Sequence, residues 1–261
     1  MPTLARIQIY PVKSLDAESV DSAVLMVGGA LRHDRRFALR DFNGEFVDGK
    51  RAPKVHLLRS QFDVATNQLE LRVEGCCTVD SFDVYRQRRE LETWLTEYFG
   101  QPLELAEDPA AGFPDDTDSP GPTVITTATL AAVAGWFAGL STDEARNRFR
   151  ANLEIDGVEA FWEDRLVAGA GRVVRFRIGE AELWGTNPCQ RCVVPSRNPV
   201  SGETTREFAK VFSRNRQQSL PAWAPADRFD HFYRLAVNTR PAGGRECVLR
   251  VGDEVQILDV A

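Results

Sequence analysis

Short stretches in which apolar and polar residues alternate dominate the first hundred residues. Residues 5–9 and 37–40 alternate in this way, which is typical of strands with one buried face. Asn43-Gly44 and Asn67 stand beside such runs and predict hairpin turns. One helix interrupts the strands, over residues 87–99. Its large side chains recur at helical spacing, namely Leu91, Trp94, Leu95 and Tyr98.

The second half of the chain mixes the two periodicities. Thr126 or Thr127 is placed to cap a helix that runs to Phe137, and a second helix is predicted over residues 205–215. Residues 173–184 read as a hairpin around Gly179, and residues 247–258 as strand, turn, strand. The regular alternation of strand and helix that builds a doubly wound sheet is absent. Barrels or curled sheets are therefore favoured.

Between the two halves lies a segment with no periodicity. Residues 107–122 read EDPAAGFPDDTDSPGP and are rich in proline, glycine and aspartate. Segments of this length without structure of their own are usually functional loops or boundaries. We therefore predict two domains, residues 1–112 and residues 113–261.

Composition and charge narrow the class of protein. Of the 261 residues, 43% are hydrophobic and 27% are charged, which is typical of a globular chain. The net charge of −6 argues against nucleic acid as a partner, although a local basic pocket is compatible with it. Five cysteines, an odd number, fit a reducing compartment. The chain shows neither a secretory signal nor a run of about 20 apolar residues, so we expect a cytoplasmic protein without a membrane partner.

A single Cys-x-x-Cys pair, Cys189 and Cys192, is the most distinctive chemical feature. A zinc site is disfavoured because no second pair accompanies it and the three histidines are scattered. A thioredoxin-like pair is disfavoured because Val193-Val194-Pro195 is a poor start for a helix. Two interpretations stay open: two small buried side chains, or a thiolate ligand for a soft metal, with Arg191 as the neighbouring cation.

Several basic residues stand where strands pass into loops. Lys13-Ser14 follows the first strand, Arg35-Arg36 precedes the strand at Phe37, and Arg150 lies in the segment RFRAN. An anionic phosphate group requires such donors, with arginine as a bidentate fork and lysine as a point charge. Each residue taken alone is equally compatible with ordinary surface charge.

Five segments taken together resemble the MOSC family. They are YPVKSL, HDRRF, RFRANLEIDGVEAFWEDRL, NPCQRCVVPSRNPVSGE and VGDEVQIL, in the family's order and spanning nearly the whole chain. The chain looks most similar to the branch that includes the amidoxime-reducing components. This resemblance implies a β-rich α+β fold, in which an N-terminal β-barrel-like domain packs against a MOSC β-barrel with flanking helices.

The resemblance also implies a binding site for the molybdenum cofactor (molybdenum-molybdopterin). Cys192 would be the ligand to the metal and the catalytic position. Ala151 stands where the family often has proline, and Phe232 competes with Tyr233 for one position. The implied cofactor contacts are Lys13, Ser14, Arg36, Asp118, Ser119, Arg150, Asn152, Gln190, Arg191 and Tyr233.

The function that follows from the resemblance is reduction of an N-hydroxylated small-molecule substrate. We expect a separate electron-donor protein, because the chain shows no cysteine pattern of a ferredoxin domain. Within the site, Lys13, Arg36, Arg150 and Arg191 are expected to neutralise the pterin phosphate. Two alternatives remain: a cofactor or sulfur carrier with a persulfide on Cys192, and a thiol redox protein that uses both cysteines of the pair.

Overall fold

Fifteen strands and four α-helices make up the fold, and the computed structural model describes all residues 1–261. The strands are β1 (Thr3–Ile9), β2 (Glu18–Val20), β3 (Ser22–Leu25), β4 (Phe37–Asp41), β5 (Leu58–Asp63), β6 (Gln68–Val73), β7 (Asp80–Asp83), β8 (Leu103–Glu107), β9 (Val124–Thr126), β10 (Leu153–Asp156), β11 (Val174–Ile178), β12 (Ala181–Gln190), β13 (Arg234–Pro241), β14 (Cys247–Arg250) and β15 (Val255–Val260). The helices are α1 (Arg88–Phe99), α2 (Thr127–Ala134), α3 (Thr142–Phe149) and α4 (Phe208–Gln218).

The main sheet has eight strands in the order β15-β11-β12-β13-β9-β10-β1-β2. All of its pairings are antiparallel except that of β9 with β10. Three smaller sheets accompany it: β14-β3, β4-β8 and β5-β6-β7. The prediction of a β-rich α+β fold is confirmed. The strand ladders form open sheets, although the Leu4 amide donates to Asp253 (2.8 Å) and the Val255 amide to Pro2 (2.9 Å), which brings β1 beside β15.

Three hydrophobic cores hold these elements together. One lies within the main sheet and includes residues from β1 and β3 together with strands of the second half. A second is built from residues between positions 12 and 105 and lies between α1 and the sheets β4-β8 and β5-β6-β7. The third is formed by α2, α3, α4 and the strands beside them. Because β1 pairs with β10 and β3 with β14, the start of the chain shares its sheets with the end. The division at residue 112 stays a prediction.

Most of the elements with a clear local pattern are confirmed. The helix predicted over residues 87–99 is α1, and Asn67 makes the turn between β5 and β6 with a left-handed backbone (φ 58°). Thr126 caps α2 by accepting a hydrogen bond from the Thr129 amide. The hairpin around Gly179 is formed by β11 and β12. No regular element occurs between β8 and β9, as the loop prediction requires.

Two predictions about helix bounds were wrong in part. The first helix of the second half ends at Ala134 and does not reach Phe137, and the next helix begins at Phe208 instead of residue 205. The strand, turn and strand predicted over residues 247–258 are confirmed as β14, the turn at Gly252 and β15, and each strand pairs outside this segment, β14 with β3 and β15 with β11.

Helix α3 was not predicted, because its sequence TDEARNRF is too polar to show an apolar face. Its signal is instead at the N-terminus: Ser141 accepts a hydrogen bond from the Glu144 amide, and serine followed three residues later by glutamate is a capping box.

None of the four helices combines the length and the apolar character that crossing a membrane requires.

Candidate functional site

A cavity of about 890 Å³ is the main concave feature of the molecule, and both halves of the chain line it. The residues that line it fall between positions 8 and 59 in the first half of the chain and between positions 111 and 238 after that. A volume of this size lies within the range of cofactor and substrate pockets. The cavity is therefore the natural place to look for the site.

The cavity is basic although the protein as a whole is acidic. Nine cationic side chains line it: Lys13, Arg35, Lys50, Arg59, Arg148, Arg150, Arg191, Arg197 and Arg234. Five carboxylates oppose them: Asp16, Asp34, Asp48, Asp115 and Asp116. The local charge is thus opposite in sign to the net charge of −6. Such a pocket selects anions, since the sign of the local field and not the total charge governs what binds inside it.

Three of these cations have no carboxylate partner. The other six form ion pairs with aspartate or glutamate. Arg150, Arg191 and Arg197 have no carboxylate oxygen within 4.0 Å. The Nε atoms of Arg191 and Arg197 are also buried without a hydrogen-bond acceptor. Buried cations are normally paired, so these three arginines leave positive charge for a ligand to neutralise.

Arg150 is placed in the cavity by the end of helix α3. It is the C-cap residue and has a left-handed backbone (φ 51°). Its Nη2 donates to the Leu15 carbonyl (2.6 Å), and its guanidinium lies 4.1 Å from the centre of the Tyr10 ring. Burial lowers the pKa of Arg150, but an arginine remains charged at physiological pH. The side chain is therefore held as a fixed cation between the two halves.

The two cysteines of the pair lie at the end of β12, and both line the cavity. Arg191 holds this segment: its amide donates to the Tyr233 carbonyl (3.0 Å), and its Nη2 donates to the Phe149 carbonyl (2.5 Å). Arg191 Nη1 also donates to Cys189 Sγ (3.2 Å). Cys192 is a free, half-buried thiol that faces the cavity. The segment thus leaves the Cys192 thiol free at the cavity, whereas the Cys189 thiol accepts a hydrogen bond from Arg191.

A cluster of lysines and one aspartate lies beside Cys192. Asp115 Oδ1 accepts from Lys13 Nζ (2.9 Å) and is 3.5 Å from Lys50 Nζ. Burial alone would raise the pKa of the Asp115 carboxyl, but Lys13 and Arg35 hold it well below its usual range. Burial alone would lower the pKa of Lys50, but Asp115 and then Cys192 raise it. Lys50 is therefore close enough to Cys192 for the two to interact electrostatically.

The cavity brings together eight of the eleven residues that the resemblance implies. These are Lys13, Ser14, Ser119, Arg150, Asn152, Gln190, Arg191 and Cys192. It does not bring Arg36, Asp118 or Tyr233 to its wall.

Arg36 is replaced in the cavity by its neighbour Arg35. Arg36 Nε donates to Glu107 Oε1 (2.8 Å), and its guanidinium lies over the Tyr85 ring. Arg35 has a left-handed backbone (φ 48°) and faces the Tyr10 ring at 5.2 Å. Of the two neighbouring arginines, only Arg35 therefore lies on the cavity wall.

Asp118 and Tyr233 contact the site only indirectly. The Asp118 amide donates to Asp116 Oδ1 (3.0 Å), and it is Asp116 that lines the cavity and accepts from Asn238 Nδ2 (2.9 Å). Tyr233 packs edge-on against Phe212, with its hydroxyl buried and unpaired. Burial raises the pKa of Tyr233 to about 12. Tyr233 therefore supports the cysteine segment through its backbone carbonyl.

Backbone conformation gives a second sign of function that the sequence does not show. Ser14, Arg35 and Arg150 all line the cavity, and all three have left-handed backbones (φ 73°, 48° and 51°). This conformation costs a residue other than glycine about 1–3 kcal/mol, and such residues cluster at functional sites. Lys50, Asp115 and Arg197 carry no comparable local signal, so sequence reasoning did not find them.

The protein alone offers few metal donors. No group of three or more histidine, cysteine, aspartate or glutamate side chains is arranged to hold a metal ion. A metal bound at Cys192 would thus take most of its ligands from a cofactor and only one from the protein.

Models of two known domain families match this chain. The model of the MOSC N-terminal beta barrel domain matches residues 1–101, and the model of the MOSC domain matches residues 123–256. The chain belongs to the MOSC family, as the resemblance predicted. The two matches lie on either side of the loop between β8 and β9.

The relatives are molybdenum cofactor sulfurases. The protein of that name from Drosophila mojavensis is 26% identical over 243 residues, which cover 82% of this chain and 30% of the relative. The one from Oryza sativa subsp. japonica is 26% identical over 248 residues (78% and 29%). This chain therefore spans less than a third of these relatives. Among solved structures, the YUAD protein from Bacillus subtilis covers 98% of this chain and 96% of its own, with 11% identity and a TM-score of 0.38, too low to establish a shared fold.

Proposed function

We propose that the cavity binds the molybdenum cofactor through Cys192 and that the protein reduces N-hydroxylated small molecules. One observation carries the proposal: a free thiol and two arginines without carboxylate partners, Arg150 and Arg191, line the same cavity. A cofactor that joins a thiolate-liganded metal to an anionic phosphate matches these two features together. Membership of the MOSC family and the names of its relatives support the same class of ligand.

The residues on the cavity wall fit this group. Arg150 and Arg191 are fixed by hydrogen bonds to the backbone carbonyls of Leu15 and Phe149, so they are preorganised for an anion. Lys13 lies 8% exposed at the same cavity and shares Asp115 with Lys50. The cavity of about 890 Å³ leaves room for a substrate as well as a cofactor.

The protein's part in the reaction is binding, orientation and proton supply. When bound, the cofactor supplies oxygen-atom transfer coupled to a two-electron change at molybdenum. Cys192 would hold the metal, and Arg150 and Arg191 would neutralise the phosphate. Reduction of an N–OH group to N–H consumes two electrons and two protons and releases water. Although burial lowers the pKa of Lys50, Asp115 and Cys192 raise it, so Lys50 would keep a proton on the cavity wall. The electrons come from a separate donor protein.

A second function is favoured by a different observation. The relatives bear the name molybdenum cofactor sulfurase, and this chain corresponds to about 30% of their length. A cofactor or sulfur carrier would use the same cavity, with the sulfur held as a persulfide on Cys192. It would bind the cofactor without turning over an N-hydroxylated substrate.

The metal content of variants tests the proposal. We expect wild-type protein from cofactor-producing cells to contain close to one molybdenum per chain, and Cys192→Ser to lose more than about nine-tenths of it, because the only protein ligand to the metal is gone. Cys189→Ser is the matched control and should keep its molybdenum, since Cys189 is engaged with Arg191. Elemental analysis gives the readout, and amidoxime reduction with reduced viologen as the electron source gives the activity.

The outcomes separate the candidates. Molybdenum with turnover supports the reductase. Molybdenum without turnover, together with a persulfide on Cys192 detected by mass spectrometry after treatment with a sulfur donor, supports the carrier. Absence of the metal from wild-type protein made with an ample cofactor supply contradicts both.

A further inference from the structure

Arg197 is the one cationic residue on the cavity wall whose side chain has no partner of any kind. Its guanidinium makes neither an ion pair nor a hydrogen bond, and its Nε atom is buried. By contrast, Arg150 and Arg191 each donate to a backbone carbonyl. A half-buried guanidinium without an acceptor is costly, and an anion is the partner that removes the cost.

The backbone that carries Arg197 is firmly held. The Arg197 amide donates to the Val194 carbonyl (3.0 Å), and the Thr205 amide donates to the Ser196 carbonyl (2.7 Å). The next residue, Asn198, donates from Nδ2 to Glu144 Oε1 (3.2 Å) on helix α3. The backbone position from which the Arg197 side chain enters the cavity is therefore set by the fold.

The facing wall comes from the first half of the chain. Arg59 Nη2 ties the two walls together by donating to the Pro199 carbonyl (3.0 Å) and the His56 carbonyl (2.7 Å). The side chain of His56 is nine-tenths buried, and its Nε2 atom has no partner. A side chain on Gly49 would come within 3.0 Å of that nitrogen and 3.3 Å of Val194 Cγ2. The Gly49 backbone is thus packed closely against the His56 ring and Val194.

Charge at this end of the cavity favours an anion. Burial lowers the pKa of His56, the Gly49 backbone opposes this shift, and the charges of Arg197, Arg150 and Arg59 lower the pKa further. The charges near His56 are therefore cationic, and a bound anion would neutralise Arg197. Arg59 already has Asp16 as an ion-pair partner, so Arg197 is the residue that remains for the ligand.

We propose that Arg197 forms a substrate subsite for an anionic group, a carboxylate or a phosphate. The subsite lies five residues beyond Cys192 on the same segment and is distinct in role from Arg150 and Arg191, which serve the cofactor. The inference rests on the proposed function and narrows it: the substrate is an N-hydroxylated compound that also carries a negative charge. The charged group binds at Arg197, which turns the N–OH group toward Cys192.

The test compares a neutral substrate with a charged analogue. For wild-type molybdenum-loaded protein we expect the KM for 4-carboxybenzamidoxime to be at least tenfold lower than the KM for benzamidoxime, with similar kcat. In Arg197→Gln this preference should fall to about twofold or less, while kcat for benzamidoxime stays unchanged. Arg245→Gln is the matched control, because Arg245 is exposed, has no carboxylate partner and lies outside the cavity. It should retain the wild-type preference.

Three measurements keep this inference separate from the function on which it rests. A loss of molybdenum from Arg197→Gln overturns the subsite, because Arg197 then serves the cofactor. An unchanged preference for the carboxylate also overturns it. If the protein has no reductase activity, calorimetric titration with benzoate and with inorganic phosphate still tests the subsite. Binding of either anion that weakens about tenfold in Arg197→Gln but not in Arg245→Gln supports the subsite. The anion that binds more tightly is then the preferred one. Equal binding by both variants contradicts it.

Discussion

Two regions of this molecule bury arginine, and they treat the charge in opposite ways. Beneath helix α4, Arg216 is 1% exposed, and its Nη2 donates to both carboxylate oxygens of Asp164 (2.8 and 2.6 Å). Its guanidinium also packs over the rings of Phe161 and Phe229. In the cavity, Arg150, Arg191 and Arg197 have no carboxylate partner.

The cluster beneath α4 contains a second carboxylate. Glu163 is 1% exposed and accepts hydrogen bonds from the hydroxyls of Thr126 (3.1 Å) and Thr129 (2.8 Å). Thr126 caps helix α2, so the cluster ties that helix to α4. Arg216 and Asp164 thus form an ion pair within the chain, whereas Glu163 has no cationic partner, and Glu163 Oε1 and Arg216 Nη1 are buried without a hydrogen bond.

The difference shows how structural charge can be distinguished from functional charge. A buried ion pair that is complete within the protein holds elements in place and leaves nothing for a ligand. Unpaired cations around a cavity imply a partner from outside, and they accompany strained backbone positions such as Ser14 and Arg35. Variants in the two regions should therefore fail in different ways.

The largest loss of stability is expected when the ion pair between Arg216 and Asp164 is broken. Arg216→Met should lower the free energy of unfolding by about 3–5 kcal/mol, because it leaves Asp164 buried without its cation. Denaturation with urea at pH 7 measures the loss. The double variant Arg216→Met/Asp164→Leu removes both charges and should recover at least half of it. A single variant as stable as wild type would contradict the assignment of this pair as structural.

The next effect is a dependence of stability on pH that arises at Glu163. Burial, and then the charge of Asp164, raise the pKa of Glu163 from 4.5 to about 7. The folded protein thus binds more protons than the unfolded chain between these values, so stability falls as pH rises through this interval. Each unit of the raised pKa corresponds to about 1.4 kcal/mol.

Substitution of Glu163 should remove much of this dependence. Glu163→Gln cannot ionise, so its unfolding free energy should vary less between pH 4.5 and 7, and it should exceed that of wild type above pH 7. The exposed Glu159→Gln is the control and should follow the wild-type curve. An equally steep curve for Glu163→Gln would show that another group is responsible.

The smallest effect on stability is expected in the cavity. Arg150→Gln loses its hydrogen bond to Leu15 but leaves no carboxylate unpaired, so the free energy of unfolding should change by less than about 1 kcal/mol. Its molybdenum content should nevertheless fall at least fivefold. Arg36→Gln, which breaks the ion pair with Glu107 outside the cavity, should keep its molybdenum. The reverse result would exchange the roles of the two arginines.

Much of the fold was predictable because its signals are local. The apolar spacing of α1 and the capping position of Thr126 each act over a few residues. The pairing of β14 with β3 was not predictable, since it joins opposite ends of the chain. Helix α3 depends on a cap and on packing, and its polar sequence gives no periodic signal.

For the site, the sequence determined which residue types were present and in what order. The NPCQRC segment and the resemblance it carries indicated Cys192, Arg191 and the MOSC family, because a motif can be recognised from the order of its residues alone. Only the tertiary structure decided that Arg35 and not Arg36 faces the cavity, and that Arg197 has no partner. The physical reason is that the neutralisation of a charge depends on carboxylates that the fold brings beside it from distant parts of the chain.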